Sequence, residues 1–292
     1  MPVKPVIIGS APEPASDGTP GVNDPRLQPL VTTAREDLLR GLTKWHIYGR
    51  LGWLDVKRRY RRTVLGPFWG TVSLGMSVAA LGTIGVGLWK QAPATYIPFL
   101  AAGLIVWVFI QSMVTESCGL FTSNPNLFRQ TRLDYSILAY ALVWRNVITF
   151  LHSVIVYVAA IALFAPHNFG TRVLLLLPGL ALAVINGVWI ALLLGLACLR
   201  YRDLQPLVAN IVQIAIFVTP IFWPPSVLQA SSRVVFVTFN PLYHIIEVMR
   251  VPLMNGVPAR STYVAVLTIT AVGWAVTYPV FRRFRRRIAY WS

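Results

Sequence analysis

The sequence predicts an all-α integral membrane protein: six transmembrane helices, an N-terminal amphipathic helix in the membrane plane, and two re-entrant helices between the fifth and sixth spans. Three observations predict it. Of 292 residues, 55% are hydrophobic and 12% charged, whereas soluble domains carry roughly a quarter charged residues, and a water-soluble globule of this length could not hide so much apolar surface. Apolar stretches long enough to cross hydrocarbon, which takes roughly 20 helical residues, recur six times. The net charge of +16 is gathered beside those stretches, where positive charge sets topology.

Residues 1–35 read as a disordered, cytosolic tail, with Pro2, Pro5, Pro12, Pro14, Pro20, Pro25 and Pro29 and without the long apolar core of a secretory signal. Residues 36–62 read as an amphipathic interfacial helix. Leu38, Leu42, Trp45, Gly49, Trp53, Val56 and Tyr60 recur at three- and four-residue steps, with Arg40, Lys44, Arg50 and Lys57 between them. Its end, "KRRYRR" at 57–62, runs without an acidic residue into the first apolar stretch, anchoring that span's start in the cytosol.

Residues 63–292 form one six-span domain, with spans at about 65–89, 97–121, 139–164, 172–199, 206–223 and 262–281. Placing both termini and alternate connectors on one side leaves only Lys90, Arg172, Arg233, Arg250 and Arg260 of the 26 basic residues opposite. The positive-inside rule makes the rich side cytosolic, so the chain reads as multi-pass with both termini inside. Because the basic clusters abut spans and meet anionic headgroups, membrane lipids are their partners and nucleic acid is not.

After "TPIFWPP", where Pro220, Pro224 and Pro225 should end the fifth span, two apolar segments at about 227–239 and 242–254 flank Asn240 and Pro241. Each is too short to cross, and Arg233, Glu247 and Arg250 would be costly at mid-bilayer, so both read as re-entrant. Glu247 and Arg250, three apart, are placed to pair. In the fourth span Gly179, Ala183, Gly187, Ala191 and Gly195 form a ridge of small side chains suited to close helix packing. Glu116, Arg145 and His152 are the ionisable residues within spans; Glu116 and Arg145 both sit toward the basic ends, either as a neutralising pair or as a functional group.

Catalytic patterns are weak. Cys118 and Cys198 read as small apolar fillers, and His46, His152, His167 and His244 lack metal-ligand spacing. No lysine follows a glycine, so the "GK[ST]" phosphate loop is missing and ATP is not hydrolysed by that route.

"RRYRRTVLGPFWGTVSLG", "NPNLFRQTRLDYSI", "RYRDLQPLVANIVQIAIFVTPIFWP" and "FNPLYHIIEVMRVPLMNG" occur in that order on the six-span plan. From Leu38 to Trp291 the chain resembles the type-2 ABC exporter permeases of the O-antigen and teichoic-acid group. The resemblance implies a homodimer in a bacterial inner (plasma) membrane, working with two copies of a cytosolic ABC ATPase on a lipid-linked polysaccharide. ATP and magnesium would belong to the partner, with no cofactor on this chain, which is then not itself an enzyme. Residues 63–292 become a permease domain. The resemblance assigns Asn124, Pro125, Phe128, Arg129, Arg132 and Asp134 to a cytosolic element resting in the ATPase, and Arg202 and Asp203 to a second; Asp203 could equally cap the fifth helix. It points to the first and fifth spans as the conduit, where Phe68, Trp69, Phe217, Phe222 and Trp223 would offer aromatic faces to sugars. Arg58, Arg59, Tyr60, Arg61 and Arg62 would meet a lipid diphosphate at headgroup level. Teichoic acid, capsule or another amphiphile is the alternative cargo; a membrane transferase or a gradient-driven transporter is the alternative machine.

Overall fold

The computed structural model describes residues 33–59, 66, 68–123, 134–166 and 170–291, and these form helices and turns with no strand. Helix α1 (Ala34–Thr43) starts where the Thr33 hydroxyl accepts the Glu36 N–H at 3.2 Å. The chain breaks at Lys44 and resumes as α2 (Trp45–Arg59). The continuous helix expected over 36–62 is therefore two helices. Gly41, Gly52 and Val56 face inward while Trp45, Trp53, Leu42 and Leu54 stay exposed, so the bulkiest residues of the expected apolar stripe point outward. Glycine at 52 is required by packing: a Cβ there would fall 2.9 Å from the Ala141 carbonyl oxygen.

Among the described residues five helices are long and apolar enough to cross a membrane: α3 (Phe68–Trp89), α4 (Pro93–Ser117), α5 (Ser136–Phe164), α6 (Thr171–Arg200, opening with a 3₁₀ turn) and α10 (Arg260–Phe284). Helix α4 starts four residues earlier than expected because Pro93 suits a first helical turn. It is the buried centre, with α3 and α5 against it and α6 and α7 (Leu204–Val218) also touching it. The small-residue ridge of α6 is wholly buried. Gly179 lies against the backbone of Val248, Gly187 against Met113 and Val143, and Gly195 against Leu120 and Phe121.

Helix α7 is shorter than the span expected at 206–223. Its 15 residues cover about 22 Å, short of the roughly 30 Å of hydrocarbon. It stops at Val218 because Thr219 turns extended and Pro220 follows. Beyond Pro225–Val227 come α8 (Ser231–Thr238) and α9 (Pro241–Leu253), meeting at 75°. The bounds of the second segment are close to those expected; the first is shorter and ends in a π turn. With α8 and α9 taken as one broken span there are six crossings by length, and otherwise five.

Asn240 makes the bend. Its side-chain oxygen accepts the N–H groups of Leu242 (3.0 Å) and Tyr243 (3.3 Å), and its amide donates to the Thr219 hydroxyl at 3.1 Å. The expected Glu247–Arg250 pair is present. Buried Arg250 donates from Nε to Glu247 at 2.8 Å and from Nη1 to the Pro220 carbonyl at 2.8 Å, with its guanidinium 4.2 Å from the Phe99 ring centroid. One arginine thus ties α9 to the end of α7 and to α4. Last, α11 (Ile288–Trp291) folds back beside the end of α6.

Candidate conduit face and coupling end

At the arginine-rich end, Glu116 closes α4 among three donors: Arg59 Nη2 at 2.5 Å, Arg145 Nη2 at 2.7 Å and Asn146 Nδ2 at 2.9 Å. Arg145 reaches Asp55 with its other terminal nitrogen at 2.9 Å. The expected Glu116–Arg145 pair therefore belongs to a larger network joining α2, α4 and α5. A cleft of about 180 Å³ beside it is lined by Asp55, Arg58, Glu116 and Arg145. Of the arginines expected at a lipid diphosphate, Arg58 is exposed by this cleft and Arg59 is engaged by Glu116; Tyr60, Arg61 and Arg62 lie outside the described residues.

A second knot sits nearby. The buried carboxylate of Asp37 accepts the N–H groups of Ser136 (3.0 Å) and Tyr135 (3.3 Å), capping α5 from another helix, and the Ser136 hydroxyl donates to the Asp37 carbonyl at 2.7 Å. Arg285, at the end of α10, lies 3.9 Å from the same carboxylate. Burial pushes the Asp37 carboxyl above its ordinary value, against the pull of the Ser136 hydrogen bonds and Arg285.

Asn124, Pro125, Phe128, Arg129 and Arg132 lie outside the described residues. Asp134 is 3% exposed and its carboxylate takes Lys44 Nζ at 2.7 Å. It holds the start of α5 to the α1–α2 break, a contact that the sequence could not show because Lys44 is 90 residues away. Arg202 and Asp203 are exposed in the turn between α6 and α7, and the Asp203 side chain makes no cap hydrogen bond.

The aromatic candidates fall into two groups. Phe68 and Trp69 are exposed at the start of α3, where the Phe68 ring meets the edge of His152 at 5.6 Å. Phe217, Phe222 and Trp223 converge at the opposite end: Phe217 packs edge-on to Phe222 at 5.8 Å, and the Trp223 indole donates to the Phe217 carbonyl at 3.1 Å. Tyr96 of α4 donates to the Phe222 carbonyl at 2.5 Å, its ring seated on Gly85 of α3, where a Cβ would fall 2.1 Å from the tyrosine oxygen. Within one chain α3 and α7 both pack on α4, which separates the groups.

Sequence reasoning missed the polar stripe of α7. Pro206, Asn210, Gln213 and Phe217 succeed one another at three- and four-residue steps, all exposed, and neither Asn210 nor Gln213 has a hydrogen-bond partner among the described residues. The signal was legible in "LQPLVANIVQIAIFV", where amides interrupt an otherwise apolar helix. Bare amides facing lipid are unfavourable.

Residues 48–254, from α2 to just beyond α9, match the family model described as ABC-2 type transporter. The chain belongs to the ABC-2 type transporter family. This ABC-2 protein is also 24% identical over 191 residues, 64% of its length and 72% of the relative's, to the O-antigen export system permease protein RfbA of Myxococcus xanthus. The matched region of the ABC-2 chain takes in the Glu116 network, the α7 stripe and the bent α8–α9 pair; α1 and α10 flank it.

Proposed function

We propose that this ABC-2 protein is the permease subunit of an ATP-driven exporter. It would carry a lipid-linked, O-antigen-like polysaccharide from the cytosolic to the outer side of a bacterial inner membrane. Two copies form the conduit and two copies of a separate cytosolic ABC ATPase, holding ATP and magnesium, drive it. The arginine-rich end with both termini faces the cytosol, α1–α2 lie at the headgroups, and α7 completes its crossing through the extended residues after Val218.

The observation that carries this reading is the α7 stripe. Asn210 and Gln213 present amide groups, and Phe217 with Phe222 and Trp223 an aromatic surface, on a face with no partner in the described chain. Amides for hydroxyls and aromatic rings for sugar faces suit a glycan, whose polar groups cannot cross hydrocarbon without such a lining. A gradient-driven carrier fits less well: Glu116 and Glu247, the carboxylates in the apolar helices, are each bonded to arginine. Teichoic acid or capsule remains an alternative cargo for the same machine.

The test is transport of a fluorescent lipid-linked glycan into vesicles holding the permease and its ATPase. Export should require ATP and persist when ion gradients are collapsed. Replacing Asn210 and Gln213 together by leucine should lower transport at least tenfold while the ATPase still binds; export driven by a gradient without the ATPase would refute the reading.

A further inference from the structure

Helices α6 and α10 pack along their lengths but leave an open groove of about 350 Å³, lined by Trp189, Leu193, Ile269, Val272, Gly273 and Val276. Its floor is dry. The Trp189 indole N–H is taken by Asn186 at 2.8 Å, and Gly273 lets the indole lie on the α10 backbone, since a Cβ there would fall 2.2 Å from the ring. The Thr268 hydroxyl, at the rim, is turned to the Val264 carbonyl at 2.8 Å. Nothing polar is offered to an occupant, so the occupant's buried part is hydrocarbon.

The two helices carry the same arrangement towards the basic end. Arg200 is seven residues beyond Leu193, and Arg283 seven beyond Val276. Seven residues return to the same helix face within about 20° and descend about 10 Å. Both arginines are exposed and neither has a carboxylate partner among the described residues. They flank one aromatic platform: the Phe284 and Trp291 rings lie 5.8 Å apart, with Arg283 5.7 Å from Phe284 and Arg200 5.3 Å from Trp291. Arg260 and Arg283, near opposite ends of α10, are about 34 Å apart along the axis, which puts Arg283 at headgroup depth.

We propose that this groove binds one anionic bilayer phospholipid, with an acyl chain against Trp189 and Gly273 and the phosphate on Arg200 and Arg283. Charge complementarity selects this occupant: guanidinium forks match phosphate oxygens, and basic pockets between membrane helices favour anionic headgroups. A second copy docked through the same face would crowd its own arginines against these. The proposal needs the chain only as a membrane protein and is independent of what it exports.

The experiment titrates the purified full chain in mild detergent with phosphatidylglycerol or phosphatidylcholine of identical acyl chains, reading lipid occupancy by native mass spectrometry and the melting midpoint. Phosphatidylglycerol should bind more tightly and raise the midpoint further. R200Q/R283Q should weaken phosphatidylglycerol roughly tenfold or more and erase the preference. V276F fills the groove from a half-exposed position without changing charge, and should weaken both lipids; V272F serves the same end. R282Q/R286Q removes equal charge from arginines that do not lie against the Phe284–Trp291 platform and should behave as the wild type. Equal binding of the two lipids, unchanged binding in the groove-filling variants, an equal loss in R282Q/R286Q, or a disulfide between copies in V276C would each overturn the site.

Discussion

Glu116 takes three donors from two elements, α2 and α5, and its removal would strip Arg145 of one of its two carboxylate partners, leaving it the bond to Asp55. Both Glu116 and Arg145 are less than a fifth exposed, so Glu116→Gln should destabilise by about 2–3 kcal/mol, below the roughly 3–5 kcal/mol of a fully buried pair because both side chains keep some solvent contact. Chemical unfolding in detergent would measure it, and a loss below about 0.5 kcal/mol would reduce the network to a surface ion pair. Asp37 gives a pH dependence of opposite sense to an ordinary paired carboxylate. Its carboxyl is raised by burial, so protonation favours the folded state: that contribution is complete below about pH 4 and is lost as pH rises through the raised value. As pH rises above about 4 the wild-type midpoint should therefore fall more than that of Asp37→Asn; parallel pH profiles would show that Asp37 does not titrate with folding. The Glu116–Arg145 pairing was legible from position alone, since both lie near the same end of adjacent spans. Asp37 was not, because its partners Ser136 and Arg285 are brought to it only by tertiary packing.

Helices declare themselves in the sequence when hydrocarbon alone defines them. For α3, α5 and α6 the apolar run and the element end within a few residues of each other, because a membrane helix must satisfy its backbone internally along its whole apolar length. Helix α7 escaped that logic: hydropathy runs on through "TPIFW", but the backbone stops helical bonding at Thr219 and hands the Pro220 carbonyl to Arg250. The seat of Tyr96 on Gly85 was also hidden, since a glycine in an apolar run does not reveal which ring it accommodates. Gly85→Ala should destabilise by about 1–3 kcal/mol through displacement of Tyr96. In a Tyr96→Ala background the same change should be nearly neutral, and the double-mutant cycle measures that coupling; additive effects would mean the helix shifts instead.

For the molecule as a whole, orientation follows from where the arginines gather, and the buried state of Cys118 and Cys198 makes it measurable on a quiet background. Lys90 and Arg202 are exposed at opposite ends of the helix bundle. In intact cells a membrane-impermeant maleimide should label Lys90→Cys and spare Arg202→Cys until the cells are permeabilised. The reverse pattern would invert the topology, and with it the direction of transport. Architecture was the part most readable before any coordinates, because the bilayer imposes length and charge rules on every crossing. The candidate site was less so. Side chains such as Arg59 and Asp134 also make ion pairs within the chain, to Glu116 and Lys44, which sequence alone does not reveal.

Asp37 and Arg285, 248 positions apart, meet beneath α5 like the two halves of a clasp. While the chain is still leaving the ribosome, α1 can settle on α5 but has no counterpart from α10 to hold it there. Assembly therefore reaches its final shape only when the last arginines have been made, and a deletion that removed Arg285 would be felt first at the other extremity of the polypeptide.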